Sequence, residues 1–353
     1  MSLDKVEEVT DWLRFDLDQR WNHRQKLELL SAYSAPQRIF NEFGAGLINA
    51  SLHKSVQQFL EQSDQHLLSL NCADYPMRLK QISDPPLLLY AKGNIDLLKE
   101  PTVAIVGSRR PTEIGRIFAD RVAYELASLG IAITSGLALG VDGAAHQGCL
   151  RAKQGTIAVL GCGVDIIYPT RHRNLYAQIN DEGLLLSEFH LGAGVTRYAF
   201  PKRNRIISGL SLATVIVEAA QKSGTLITAK CALEQNRDVF VAPGGVLSQQ
   251  YAGSNDLIKQ GAALITRSDD VLQGIASILD SEFVRKSTSK TTDPGLDAQS
   301  KSLLSHLNGE PLSVDEIIER SGLTAPEVSS MLLVLEMQGV VAMTEGGDYF
   351  SLA

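Results

Sequence analysis

The chain has 353 residues, which is enough for two or three domains, and a formal net charge of -7. Apolar residues make up 44% and charged residues 21% of the sequence, as in globular proteins that bury a core, so wholesale disorder is excluded. The sequence contains no apolar run long enough to cross a membrane, no basic and apolar secretory leader, and no C-x-x-C pair among its four cysteines. These features predict a cytoplasmic protein without a membrane span, a disulfide framework or a zinc site.

The negative charge is concentrated at one end of the chain. Residues 296–353 carry nine acidic and two basic side chains, whereas residues 1–295 carry 31 of each. A body without net charge can still present a local basic surface, because charge acts on partners over short distances. The acidic total therefore does not exclude a nucleic-acid partner.

The first 80 residues have apolar side chains at helical spacing. Leu27, Leu30, Ile39, Phe43 and Leu47 recur at intervals of three, four and more residues. This pattern predicts a small N-terminal helical domain over 1–80.

From residue 81 to 284 short apolar runs alternate with helical windows. The runs that predict strands are 87–91, 102–106, 131–135, 156–160, 184–188, 213–217, 238–242 and 263–266. The windows that predict helices are 115–129, 140–153, 171–181, 225–236 and 268–280. Continuous apolar strands separated by helices predict an α/β domain in which a doubly wound, mainly parallel sheet is covered on both faces.

The last segment predicts a linker and a second domain. Residues 285–295 lack apolar side chains and indicate a linker. Three helical windows (297–308, 313–321 and 325–338) and two short strands then predict a winged helix at 296–353. Because its candidate recognition helix contains no Lys or Arg, this domain is expected to contact protein, or the rest of the chain, rather than duplex DNA.

Glycine and small hydroxyl residues follow five of the predicted strands. They lie at 107–110, 136–140, 161–163, 223–225 and 243–245. In open α/β sheets ligands bind at the carboxyl ends of the strands, where glycine lets a ligand approach the backbone and helix starts attract phosphate. The five turns favour a phosphate-binding surface, although each alone is also what a strand-to-helix turn requires. Neither a Walker motif nor a dinucleotide fingerprint is present.

The segment 196–209 carries the strongest functional signal. It contains Arg197, Lys202, Arg203 and Arg205 without an acidic residue, and Phe200 is interleaved with them. Cations that contact phosphates and aromatic faces that stack on bases are the means by which proteins hold single strands. The alternative is a solvated basic loop whose aromatic residues enter the core. Pro201 is expected to keep Phe200 extended.

Two further sets of residues leave alternatives open. Arg109 and Arg110 follow the first rim turn, where they are equally suited to grip phosphate or to form a salt bridge with a neighbouring helix. Asp142 and His146 share a helix face but lack a third ligand, so they are expected to be structural rather than to hold a metal.

These motifs resemble the DNA-processing protein A (DprA/Smf) family. The resemblance rests on GSR at 107–109, SGLALGVDGAAHQG at 135–148, TIAVLGCGVDIIYP at 156–169, FPKRNRIISGLS at 200–211, EAAQKSGTLITA at 218–229 and PGG at 243–245. It implies a bacterial protein with an N-terminal helical (SAM-like) domain, an extended Rossmann-like domain and a winged helix. It also implies a protein that binds single-stranded DNA, protects incoming strands and loads the RecA recombinase in natural transformation.

The resemblance also implies site residues and partners. The expected DNA contacts are Gly107, Ser108, Arg109, Arg197, Phe200, Lys202, Arg203, Asn204, Arg205, Ser223, Gly224 and Lys230. No catalytic residue, metal or cofactor is expected, and single-strand-binding protein is a further candidate partner. An enzymatic alternative stays open, since the glycine-rich rim is also similar to nucleoside-monophosphate phosphoribohydrolases. However, Val246-Leu247-Ser248 breaks the G-G-x-G-T-x-x-E signature of those enzymes.

A homodimer is expected from the end of the sheet. The predicted helix 254–260 and strand 263–266 are apolar, and an open sheet edge must be covered or paired. The apolar residues of this region are Leu257, Ile258, Ala262, Leu264 and Ile265.

Overall fold

The computed structural model describes residues 6–47, 49–279, 298–307, 312–337, 341–343 and 348–351. These residues belong to two units, one within Met1–Asp280 and the other within Ser281–Ala353. The predicted linker at 285–295 and the turn of the predicted C-terminal hairpin lie outside the described residues. Each helix in the described ranges is too short or too polar to cross a bilayer.

Four helices form the N-terminal part of the first unit. They are α1 (Val6–Leu17), α2 (His23–Tyr33), α3 (Pro36–Phe43) and α4 (Ala50–Leu60). Asn22 begins α2 with a capping box in which its side chain accepts from the Gln25 amide, while the Gln25 side chain accepts from the Asn22 amide. Leu30 and Ile39 are buried as their spacing predicts, but Leu47 is 97% exposed because it lies beyond the end of α3.

A nine-stranded sheet forms the centre of this unit. Its strands are β1 (Gln65–Ser69), β2 (Leu88–Gly93), β3 (Thr102–Gly107), β4 (Ala132–Ser135), β5 (Thr156–Val159), β6 (Leu184–Ser187), β7 (Ala213–Val217), β8 (Asp238–Val241) and β9 (Ala263–Leu264). Their spatial order is β1-β2-β6-β5-β4-β3-β7-β8-β9. The strands from β3 to β9 pair in parallel, which confirms the mainly parallel, doubly wound α/β fold.

The two antiparallel strands lie together at one edge. β2 pairs antiparallel with β6, and β1 pairs antiparallel with β2. β1 falls inside the segment 1–80, for which the helical spacing predicted helices only. Its apolar run at Leu67 and Leu68 is fully buried, which is what a strand covered on both faces requires.

Helices cover both faces of the sheet. After the short α5 (Met77–Lys80) they are α6 (Glu113–Ser128), α7 (Val141–Arg151), α8 (Arg173–Glu182), α9 (Ala199–Leu210), α10 (Thr225–Glu234), α11 (Ala252–Lys259) and α12 (Ser268–Ile275). α9 replaces the extended basic segment that the sequence suggested.

The second unit has the expected winged-helix elements. They are α13 (Ala298–His306), α14 (Val314–Ser321), α15 (Ala325–Met337), β10 (Val341–Met343) and β11 (Tyr349–Ser351). β10 and β11 pair antiparallel, and Leu303, Ile317, Leu332 and Val341 belong to one buried core. Ser313 caps α14 through a capping box with Glu316.

Candidate functional site

A pocket of about 640 Å³ lies where the strand order reverses. From β3 the chain adds β4, β5 and β6 on one side and β7, β8 and β9 on the other, so the connections after β3 and β7 diverge at the carboxyl edge of the sheet. Ligands bind at such switch points in open α/β sheets. The loops after β3, β4 and β7 and one face of α9 line the pocket, which we call the switch-point pocket.

The loop after β3 forms one wall. Gly107 lies so close to the neighbouring strand that a Cβ there would be 1.9 Å from the Val217 carbonyl oxygen, so only glycine fits. The Ser108 hydroxyl accepts a hydrogen bond from the Arg110 amide at 3.1 Å, which shapes the turn. Arg109 and Arg110 are exposed and line the pocket. Neither has an acidic partner among the ion pairs of the described residues.

The start of α10 forms the opposite wall. Ser223 and Gly224 line the pocket, and the Thr225 hydroxyl donates to the Gly107 carbonyl oxygen at 2.9 Å, which ties the two walls together. The first amides of a helix have no partner within the helix and attract anions. Lys230 does not line the pocket; its ammonium lies 3.6 Å from the Glu234 carboxylate on the exposed side of α10.

The basic segment is helical, contrary to the expectation that Pro201 keeps Phe200 extended. Pro201 is the third residue of α9, and a proline is tolerated in the first turn because the amide it lacks would have no partner within the helix. The helix turns Phe200, Arg203, Asn204 and Ile207 to the switch-point pocket, as expected of residues three and four apart.

Arg203 lies at the floor of the pocket rather than on its surface. Its side chain is 4% exposed, and its guanidinium donates to the carbonyl oxygens of Gly136 and Val159. Burial lowers the pKa of Arg203, and the nearby Asp142 carboxylate opposes that shift. Arg203 therefore holds the carboxyl ends of β4 and β5 in place while it adds positive charge beneath the pocket.

Lys202 and Arg205 lie outside the switch-point pocket, on the opposite face of α9. The Arg205 guanidinium is buried and forms ion pairs with Glu188 and, at 3.1 Å, with Asp84. The Lys202 ammonium lies 3.6 Å from the same Glu188 carboxylate. Burial raises the pKa of Glu188, while Arg205 and Lys202 act in the opposite direction. Arg205 is thus engaged in a buried ion pair rather than available to phosphate.

Phe200 is half-buried at the mouth of the pocket. The Arg109 guanidinium lies 4.9 Å from the centroid of its ring, a cation–π distance. The Tyr168 ring lies 6.0 Å away at an interplanar angle of 41°. Tyr198, which is interleaved with the same cations in the sequence, is 86% exposed and does not line the pocket. A planar ring beside an unpaired guanidinium suits a base and its phosphate.

Asp142 and His146 support the loop after β4. The buried Asp142 carboxylate accepts from the amides of Gly136 and Ala138 at 3.2 and 3.3 Å. Burial raises the pKa of Asp142 and lowers that of His146 to about 3, so the imidazole stays neutral at physiological pH. Its Nε2 accepts from the Leu137 amide at 3.3 Å. Within the described residues no cluster of His, Cys, Asp and Glu is placed to hold a metal ion.

Sequence reasoning missed one pocket residue that carries charge. Lys222 is exposed and lines the pocket immediately before Ser223 and Gly224. Its position directly before Ser223 and Gly224, on a turn predicted to bind phosphate, could have identified it. Five cations therefore surround or underlie the pocket: Arg109, Arg110, Arg197, Lys222 and Arg203. Among the described residues that line it, Asp142 alone is acidic, and its carboxylate is already engaged.

Two family models match the chain. The model described as DNA recombination-mediator protein A matches residues 66–276, and the DprA winged helix domain matches residues 287–347.

Curated proteins and solved structures are also similar to this chain. Protein Smf of Escherichia coli is 39% identical over 300 residues, which are 83% of this chain and 80% of that protein. The crystal structure of DNA processing protein A from Streptococcus pneumoniae aligns with a TM-score of 0.64 at 33% identity, over 77% of this chain and 98% of that one. DNA processing protein A from Helicobacter pylori, described for its single-stranded DNA binding mode, aligns with a TM-score of 0.55 at 33% identity, over 61% of this chain and 97% of that one.

Proposed function

The chain belongs to the DNA recombination-mediator protein A family, and from that premise we propose that it binds single-stranded DNA in the switch-point pocket. The observation that carries the proposal is the pairing of Phe200 with unpaired cations at one pocket mouth. Arg109, Arg110, Arg197 and Lys222 would contact phosphates, and the Phe200 ring would stack on a base. The single-stranded DNA named for the Helicobacter pylori relative supports the same ligand here.

We propose that the pocket binds rather than catalyses. Asp142 is the one acid among the described lining residues, and it accepts hydrogen bonds from two amides on the loop after β4. That arrangement suits a carboxylate that fixes a loop more than one that transfers a proton. A nucleoside-monophosphate substrate incubated with the protein and analysed for release of free base tests this point; measurable release would contradict it.

Strand preference tests the proposed ligand directly. Stacking uses base faces that a duplex hides, so the protein should bind a single-stranded oligonucleotide more tightly than the corresponding duplex at the same salt concentration, with little dependence on sequence. Fluorescence anisotropy with labelled oligonucleotides measures both affinities. Equal affinities for the two forms would reject the proposal.

We further propose that the bound strand is passed to the RecA recombinase during natural transformation. The recombination-mediator family and the DNA-processing relatives support this role, which would place the protein in the cytoplasm with single-strand-binding protein as a second partner. RecA filament formation on oligonucleotides coated with single-strand-binding protein measures the activity. An unchanged lag before filament growth when this protein is added would count against it.

We propose a homodimer that uses the β9 edge of the sheet. β9 pairs with β8 on one side, and Leu264 is 49% exposed. Ile265 is fully buried within the chain and is not available to a partner, so the proposed surface is smaller than the apolar pattern suggested. Light scattering at tens of micromolar should give twice the chain mass, and the substitution Leu264→Glu should reduce it to one chain.

A further inference from the structure

Glu218, the residue directly after β7, has an unusual backbone conformation. Its φ is 58°, in the left-handed region that non-glycine residues rarely adopt, and its side chain is fully buried. Such backbone strain persists where the surroundings impose it, often at functional sites. The residue lies at the carboxyl edge of the sheet and does not line the switch-point pocket.

The Glu218 carboxylate is bound to the end of the loop that carries Ser108 and Arg109. The Thr112 amide donates to both of its oxygens, at 3.0 and 2.9 Å, and the Thr112 hydroxyl donates to Oε2 at 2.8 Å. Thr112 is also the N-cap of α6, where its hydroxyl accepts from the Gly115 amide at 3.1 Å. A Cβ at Gly115 would lie 2.6 Å from Oε2, so the absence of a side chain there lets the carboxylate approach the helix.

The loop after β8 forms hydrogen bonds with Thr112 and with the residue after Glu218. The Tyr251 hydroxyl lies 3.1 Å from the Thr112 hydroxyl, and the Tyr251 ring occupies the space beside Gly244 that a Cβ would need. The Ser254 hydroxyl accepts from the Ala219 amide at 2.7 Å, directly after Glu218. The loops after β3, β7 and β8 are therefore joined through Thr112, Glu218 and Ala219.

We propose that Glu218, through Thr112, is a positioning residue for strand binding. The inference rests on the proposed function. Ser108, Arg109 and Arg110 lie on a loop whose first residue is fixed against Val217 and whose last residue is fixed by Glu218. With both ends held, the loop presents its amides and guanidinium groups to a phosphate without losing further conformational freedom when the strand binds. The buried acid thus improves the affinity of a surface for anions that it does not itself touch.

The experiment compares substitutions in the contact between Glu218 and Thr112, beyond the carboxyl end of β3, with a substitution at the amino end of that strand. We call the hydrogen bonds between the Glu218 carboxylate and Thr112 the Glu218 clamp. Glu218→Gln and Thr112→Val weaken this clamp, and Thr112→Ser retains the hydroxyl. Thr102→Val is the matched control, because the buried Thr102 hydroxyl donates to the Leu210 carbonyl oxygen at 2.9 Å at the opposite end of the same strand. Affinity for a single-stranded oligonucleotide is measured over a range of salt concentrations, with circular dichroism as the check of folding.

Glu218→Gln and Thr112→Val should bind at least tenfold more weakly, with a log–log salt slope reduced by roughly 0.7 for each phosphate that the loop no longer neutralises. Thr112→Ser should have the affinity and the salt slope of the wild type. Thr102→Val should keep the full slope whatever its effect on stability, because destabilisation alone lowers the number of active molecules and leaves each folded molecule bound to the same phosphates. Unchanged affinity and slope in both clamp variants would overturn the proposal.

Amide hydrogen exchange separates this inference from the proposed function. In the protein without DNA, residues 107–112 should exchange faster in Glu218→Gln than in the wild type, while they remain as protected in Thr102→Val. If the wild type binds no single strand, the proposed function fails. The exchange comparison still tests whether Glu218 holds residues 107–112 in place. Equal exchange of residues 107–112 in Glu218→Gln and the wild type would overturn it.

Discussion

The cations on the two faces of α9 have different surroundings: one face borders the switch-point pocket, and the other packs against the Glu188 carboxylate. On the pocket face Arg203 lies beneath a surface formed with Arg109, Arg110, Arg197 and Lys222. On the other face Arg205 and Lys202 surround the Glu188 carboxylate. In sequence Lys202, Arg203 and Arg205 form one basic cluster, but the helix turns Lys202 by about 100° and Arg205 by about 200° away from Arg203. A local excess of Lys and Arg therefore indicates an anion site only for those side chains that lack an acid of their own.

The comparison predicts different readouts for the two faces. Substitutions of Arg205 or Glu188 should act on stability, because these two charges are removed from water and paired with each other. Substitutions at the pocket mouth should act on strand affinity, because Phe200 and Arg109 are at least partly exposed to solvent. Variants at Arg205, Phe200 and Arg109 test that division, and the largest effect is expected at Arg205.

Arg205→Met should destabilise the protein by about 3–5 kcal/mol at pH 8, because it leaves the buried Glu188 carboxylate without its principal partner. The pKa of Glu188 is already raised by burial and should rise further. When the pKa of a carboxyl group is higher in the folded than in the unfolded state, the free energy of unfolding falls as pH rises between the two pKa values. The variant should therefore be less impaired at pH 5 than at pH 8. Urea unfolding at the two pH values measures this.

The double variant Glu188→Gln with Arg205→Met is the control. It removes both charges, so much of the lost stability should return and the pH dependence should flatten. Folded Arg205→Met should keep the wild-type salt slope for single-stranded DNA. A reduced slope in a folded variant would place Arg205 among the residues that bind phosphate and contradict the division between the two faces.

Phe200→Ala should weaken single-strand binding by about 1–3 kcal/mol without changing the salt slope, because stacking releases no counterions. Anisotropy titrations across a salt series measure both quantities. Tyr198→Ala is the matched control, since Tyr198 is exposed, lies outside the pocket and should be neutral. Loss of the circular dichroism signal in Phe200→Ala would instead make Phe200 a core residue and remove the stacking proposal.

Much of the architecture could be predicted from the sequence, because continuous apolar runs indicate segments that are buried in the folded protein. The runs at 102–106, 156–160 and 213–217 each became a strand of the sheet, and the winged-helix elements follow their predicted order. β1 was missed because a five-residue strand at the sheet edge resembles part of the helical pattern before it. The helical period of Phe200, Arg203, Asn204 and Ile207 is present in the sequence, but Pro201 disfavours a helical conformation for Phe200 and so predicted an extended chain.

The site was less predictable because its contacts join distant segments. Glu188 follows β6, and nothing near it in sequence indicates that α9 will place Arg205 against it. Glu218 reveals its role only through Thr112, which lies 106 residues away. Gly107, Ser108, Arg109, Ser223 and Gly224 were placed together correctly on one rim, because parallel strands bring their carboxyl ends to one edge.

Arg109 and Lys230 provide the finest test, because both are exposed cations predicted to bind DNA and only Arg109 lines the pocket. Arg109→Ala should lower single-strand affinity several-fold and reduce the log–log salt slope by roughly 0.7, as expected when one phosphate is no longer neutralised. Lys230 lies beside Glu234 on the outer side of α10, so Lys230→Ala should leave the slope unchanged. Both variants remove one positive charge, so any long-range effect of net charge should be the same in the two proteins. An equal reduction of the slope in both would mean that the strand follows the outer face of α10, and that the switch-point pocket is at most one end of its path.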